Sequence, residues 1–124
     1  MTLLLDTHVM LWWRANDKSL GPVVRDAIST ADAVFVSAAS AWEVAIKIAV
    51  GRLKLPASFE KGVEASGFER LPITFAHAER AASLPLHHRD PFDRMLIAQA
   101  QTEGLTLVTR DRNLTAYEVA ILPA

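Results

Sequence analysis

Four acidic residues carry the chemistry open to this sequence: Asp6, Glu43, Asp93 and Asp111. They are far apart in the chain, yet each sits beside an apolar run. Asp6 follows Leu3-Leu4-Leu5, and Glu43 lies among Trp42, Val44, Ala45 and Ile46. Asp93 precedes Met95-Leu96-Ile97-Ala98, and Asp111 comes just after Leu107-Val108-Thr109. Carboxylates gathered in one place repel, and each raises the pKa of the others unless a cation neutralises them. An all-oxygen ligand set suits Mg²⁺ or Mn²⁺ rather than zinc. Such a cation can polarise a phosphoryl oxygen and activate water for attack.

Gathering the four acids is the task of the secondary structure. Thr2 to Leu5 reads as a strand buried on both faces, hence central in a sheet. Val9 to Arg14 reads as a short helix, in which adjacent Trp12 and Trp13 cannot share one core stripe; one is expected inside and the other exposed. Pro22 suits the first turn of a helix over Val23 to Ser29. Val34-Phe35-Val36 is a second strand. A long helix then runs to Val50, with Ser37 and Ser40 as rival N-caps and Gly51 as its stop. Ser58 caps a helix through Ala65, Phe68 to Ile73 is a third strand, and Thr74 caps Phe75 to Ser83. Asp90-Pro91-Phe92-Asp93 opens a helix that continues over Met95 to Gln101 and ends at Gly104. Leu105 to Thr109 is a fourth strand, and Tyr117 to Leu122 supplies a last short one. Strands alternating with helices predict an α/β fold with a parallel sheet built from right-handed βαβ units. In such units strand ends and helix starts share the sheet's carboxyl edge, where open sheets bind ligands. All four acids are expected at or near that edge.

Each residue also has a plainer role. Asp6 can cap the following helix, Glu43 can pair with Lys47 four residues on, and Asp111 can be a turn residue. Asp93 can oppose the helix dipole, and Asp90 before Pro91 reads as an N-cap. His87-His88-Arg89 reads as a solvated basic loop. Arg94, Arg110 and Arg112 either receive phosphates or balance the acids. Thr7 and Ser40 either orient a carboxylate or serve as caps.

Composition narrows the class. The chain has 124 residues, one domain's worth over 1–124, and 51% are hydrophobic, which argues against disorder. It contains no Cys, so disulfides and thiolate metal sites are excluded, in keeping with a cytoplasmic setting. The N-terminus lacks the pattern of a secretory signal, and no uninterrupted apolar stretch approaches membrane-spanning length. A net charge of −1 means that any nucleic-acid contact comes from a local patch or a partner.

Four segments carry a family resemblance: Leu4-Leu5-Asp6-Thr7-His8, Ser40-Ala41-Trp42-Glu43-Val44, Asp90-Pro91-Phe92-Asp93-Arg94-Met95-Leu96-Ile97-Ala98-Gln99-Ala100 and Leu107-Val108-Thr109-Arg110-Asp111. In type, order and spacing they resemble the PIN-domain ribonucleases, above all the VapC-type toxins of bacterial toxin–antitoxin pairs. The resemblance implies a three-layer fold, with a central parallel sheet of four to five strands flanked by helices. It implies a Mg²⁺- or Mn²⁺-dependent endoribonuclease acting on an RNA substrate, inhibited by a cognate antitoxin protein. A homodimer is implied too, with a larger assembly when the antitoxin is bound. The family's acids fall on Asp6, Glu43, Asp93 and the more variable Asp111, with Asp6 and Asp93 as the main metal ligands. Asp90 is an extra acid beside them. Two rival readings remain at this point. One is a non-catalytic module binding RNA or protein through the same pocket. The other is a phosphohydrolase with Asp6 as nucleophile, which His8 argues against, because such enzymes usually carry a second Asp there.

Overall fold

Leu3, Leu4 and Leu5 are completely buried and form the heart of the middle strand of a five-stranded parallel sheet. The computed structural model describes residues 1–124. Its strands are β1 (Thr2–Leu5), β2 (Ala33–Ser37), β3 (Glu69–Leu71), β4 (Thr106–Thr109) and β5 (Ile121–Pro123), in the order β3-β2-β1-β4-β5. Every pairing is parallel. Because β1 lies between β2 and β4, the strand order reverses at β1, the kind of switch point that opens a crevice at the carboxyl edge. The register brings three strand ends level there: Leu5 pairs with Val36 on one side and Val108 on the other.

Six helices cover the sheet: α1 (Thr7–Arg14), α2 (Pro22–Thr30), α3 (Ala38–Ala49), α4 (Phe59–Ala65), α5 (Phe75–Ser83) and α6 (Pro91–Glu103). Successive strand residues point to opposite faces, and the core divides accordingly. Leu3 and Leu5 pack with Val9, Met10, Val24, Ile28, Val44 and Val63 from α1 to α4. Leu4 and Leu107 pack on the other face with Leu96, Ile97 and Ala100 of α6. The expected three-layer α/β architecture is present.

The helix boundaries follow local chemistry. Ser37, Ser58, Thr74 and Asp90 cap α3, α4, α5 and α6 with their side chains. Gly104 ends α6 at φ 68°, a left-handed conformation that costs glycine little. Several expectations need correction. Ser40 is not a cap but a buried residue in the first turn of α3, because Ser37 already accepts from Ala39 N–H. The third strand is three residues rather than six. The last strand begins at Ile121 rather than Tyr117, because a 3₁₀ turn at Arg112–Ala116, capped by Asp111, comes first and turns Tyr117 into the core. Trp12 and Trp13 are both half-buried on the rim of the core instead of one in and one out. Trp12 takes the Arg110 guanidinium on its face at 4.3 Å, and Trp13 donates from Nε1 to Ser66 Oγ.

Candidate active site

The carboxyl edge of β1 presents Asp6 as the N-cap of α1. Its Oδ1 accepts from Val9 N–H at 2.8 Å, and the residue is only 7% exposed. Capping and burial therefore coexist with any further role. Burial raises its pKa above the ordinary carboxylate value; hydrogen bonds from Thr109 and Val9 and the charge of His8 oppose the rise, and Glu43 adds to it. Asp6 makes no ion pair of its own.

Glu43 reaches the same crevice from the second turn of α3, with its side chain 13% exposed. Oε2 pairs with Lys47 Nζ at 3.3 Å, the ion pair expected from the i, i+4 spacing. Oε1 lies 2.7 Å from Thr7 Oγ1, which is itself 2.9 Å from Ser40 Oγ. A carboxylate only accepts, so the single Thr7 hydroxyl proton goes to Glu43 and Ser40 donates to Thr7. Of the two roles open to Thr7 and Ser40, the structure shows the orienting one: together they fix the Glu43 carboxylate from below.

Asp93 stands in the first turn of α6, separated in role from Asp90. Asp90 Oδ1 is occupied as the helix cap, accepting from both Phe92 N–H and Asp93 N–H. Asp93 faces the other acids: burial pushes its carboxyl up to about 6, against a hydrogen bond from His88, and the charges of Asp90 and Asp6 contribute to the rise. Asp111 accepts from Asn113 N–H through Oδ1, as a turn residue does, while its Oδ2 points toward His88 Nε2 at 3.8 Å. Thus Asp6 lies between the other two, feeling the charge of Glu43 and adding its own to Asp93, and Asp111 joins them through His88.

His88 is the residue that sequence reasoning missed. It is no solvated loop residue: its Nε2 lies 2.8 Å from Asp93 Oδ2, and it forms with Asp93 and Asp111 a group whose polar atoms lie within 4.8 Å of one another. A signal for it existed. The third residue of a helix can reach back toward the chain entering its N-cap, as in a capping box, and Asp93 holds that third position with His88 two residues before Asp90.

The arginines also need correction. Arg94 does not reach outward for phosphate. Its guanidinium donates to the carbonyls of Ala81, Leu84, Pro85 and His88 and to Tyr117 Oη. Arg110 donates to the carbonyls of Ala124 and Ser19. Arg112 remains exposed at the start of the 3₁₀ turn.

The donor set suits a hard divalent cation. It is rich in carboxylate oxygens, two of its acids hold their protons more tightly than usual, and the buried Asp6 is in no ion pair. No helix of the chain is long and apolar enough to cross a membrane.

Comparisons with known proteins bear on the family and the fold. The PIN domain sequence pattern matches residues 3–120. Ribonuclease VapC22 of Mycobacterium tuberculosis (strain ATCC 25618 / H37Rv) is 34% identical over 119 residues, covering 94% of this chain and 92% of that protein. Among solved structures, VapBC2 from Rickettsia felis, bound to a DNA fragment from its promoter, superposes with a TM-score of 0.75 at 13% identity, covering 100% of this chain and 99% of that one. A toxin–antitoxin complex from Klebsiella pneumoniae gives 0.71 at 18% identity, with 98% of each chain covered. These two likenesses concern the fold, whereas the family pattern spans nearly the whole sequence. The chain belongs to the PIN domain family.

Proposed function

We propose that the chain, acting as one domain over residues 1–124, is a Mg²⁺- or Mn²⁺-dependent endoribonuclease and the toxin of a cytoplasmic toxin–antitoxin pair. The observation that carries this reading is the convergence of Asp6, Glu43 and Asp93 at the switch point of the sheet, with Asp6 buried and in no ion pair. Asp6 and Asp93 would hold the cation, with Asp111 beside them on the same edge. When bound, it would supply charge stabilisation at the phosphoryl oxygens. Glu43, fixed by Thr7, orients the attacking water and accepts its proton. The 34% identity to a protein named a ribonuclease supports RNA as the substrate.

A protein partner is supported by apolar surface that the chain leaves uncovered. Trp42 is 63% exposed on α3, next to Glu43, and Ile46 is exposed one turn further on. An apolar cleft of about 390 Å³ opens between β2 and α4, lined by Val36, Ala41, Phe59, Val63 and Leu71. Such surfaces suit a helical antitoxin segment and a second copy of the chain in a homodimer.

The test is cleavage of a mixed RNA pool by the purified chain in Mg²⁺, in Mn²⁺ and in EDTA, beside Asp93→Asn. Cleavage that requires the cation and disappears in the variant is expected. Metal-independent RNA binding without turnover would favour the non-catalytic module, and cleavage surviving both EDTA and the substitution would overturn the mechanism.

A further inference from the structure

His88 belongs to the connection between α5 and α6, a stretch with no regular structure, yet its place is fixed from behind. Arg94, one residue after Asp93 on α6, donates through Nη2 to the carbonyls of Ala81 at 2.9 Å and Leu84 at 3.0 Å. Through Nη1 it donates to Pro85 at 3.0 Å and His88 at 3.3 Å. Buried Tyr117 accepts the His88 backbone N–H at 3.0 Å. The helical turn that presents Asp93 therefore also clamps the loop that presents His88. A histidine on a free loop would sample many partners; this one meets Asp93 Oδ2 at 2.8 Å, with Asp111 Oδ2 further off at 3.8 Å.

We propose that Arg94 and Tyr117 hold His88 as a positioning residue for Asp93: the His88 Nε2–H engages Oδ2, fixes the rotation of the carboxylate, and leaves its other oxygen for the cation. The proposal rests on Asp93 being a cation ligand. Its physical basis is pre-organisation. A carboxylate already held in one rotamer loses less freedom on ligation, and hydrogen-bonded partners of metal ligands typically matter 10- to 100-fold in affinity. His88 acts through Asp93 and touches neither substrate nor reacting atoms.

The experiment is Mn²⁺ binding to the full chain, followed by electron paramagnetic resonance and calorimetry, for wild type, His88→Ala, His88→Gln, Tyr117→Phe and Asp93→Asn. His88→Ala is expected to weaken Mn²⁺ binding about 10- to 100-fold while the folded fraction stays unchanged. His88→Gln, which keeps an N–H donor, recovers part of the loss, and Tyr117→Phe loses less in the same direction. In RNA cleavage, high Mn²⁺ restores the kcat of His88→Ala, because the ligand itself is still present. A merely structural histidine would lower the melting temperature and leave the Mn²⁺ affinity of the folded protein alone, which overturns the proposal. Nitrogen coupling in the spectrum of bound Mn²⁺, lost in His88→Ala, would make His88 a direct ligand and overturn it as well. Should His88→Ala fail to fold, His88→Gln and Tyr117→Phe carry the same comparison. Wild-type Mn²⁺ affinity in Asp93→Asn is a different failure: it removes Asp93 from the cation site and takes the underlying functional reading with it.

Discussion

Helix α6 carries a histidine–carboxylate pair at each end, both with a 2.8 Å contact, and the two pairs do opposite things. At the C-terminal end His77 of α5 meets Glu103. His77 is 1% exposed; its Nε2 faces Glu103, and its Nδ1 accepts from Thr74 N–H and faces the Gln99 amide. Glu103 extends to solvent, and no second acid pairs with His77. This network closes on itself and leaves only Gln99 Oε1 without a hydrogen bond, so it pins α5 to α6. At the N-terminal end His88 meets Asp93, but Asp90 and Asp6 add negative charge that one histidine does not cancel. The same contact distance thus marks a brace in one place and a crowded acidic pocket in the other. The distinguishing property is the excess of like charge, which folding alone would not select.

Activity should break the symmetry between the ends most sharply. Asp93→Asn is expected to lower RNA cleavage by about 10²–10³-fold or more, the scale of losing an electrostatic element of a transition state. Asp6→Asn should match it. His77→Gln keeps a hydrogen-bonding side chain at the brace and should leave kcat within about threefold, since it only rearranges contacts remote from the transition state. Single-turnover rates on one defined RNA measure all three. A loss at His77 as deep as that at Asp93, in a folded protein, would mean that the two ends are not separable.

Stability should rank the ends the other way. His77→Ala removes a buried side chain and takes an acceptor from Thr74 N–H and from the Gln99 amide, which keeps its bond to the Pro72 carbonyl. The expected cost is on the order of 3 kcal/mol, chiefly from the cavity. Chemical denaturation of the variant checks this directly, and a loss under about 1 kcal/mol would show that the interface between α5 and α6 relaxes around the gap.

The sequence already contained much of this contrast. The Leu run of β1, the β-branched core of β2, and the caps at Ser58, Thr74 and Asp90 obey local rules, and they were enough to place four acids on one edge. The edge was legible because parallel βαβ topology converts order along the chain into position in space. What stayed hidden depends on contacts between distant segments. His88 looks solvated until Arg94 and Tyr117 fold the loop back over α6, and Tyr117 lies 29 residues away from it in the chain. Arg94 looks like a surface cation because carbonyl acceptors in a loop leave no mark in residue types. Thr7 and Ser40 stay open between capping and orienting a carboxylate, because their shared partner, Glu43, is adjacent only after β1 and α3 have packed.

The finest discrimination comes from proton linkage at Asp93. Its pKa is raised from 3.8 to about 6 on folding, chiefly by burial. The folded state then holds this proton more tightly than the unfolded chain, so folding takes up a proton between about pH 4 and pH 6. This group's contribution makes stability fall as pH rises through that window. Above it, the ionised carboxylate is a net cost of about 2–3 kcal/mol. In EDTA at pH 7.5, Asp93→Asn should therefore be more stable than wild type by roughly that amount, with the gap closing near pH 4, as read from thermal melts across pH. Saturating Mn²⁺ should reverse the order, because only the wild type gains binding free energy at the site. His77→Gln should melt below wild type with or without Mn²⁺, since the brace meets no cation. If Asp93→Asn instead melted lower in EDTA at pH 7.5, Asp93 would be serving His88 as Glu103 serves His77, and both ends of α6 would be braces.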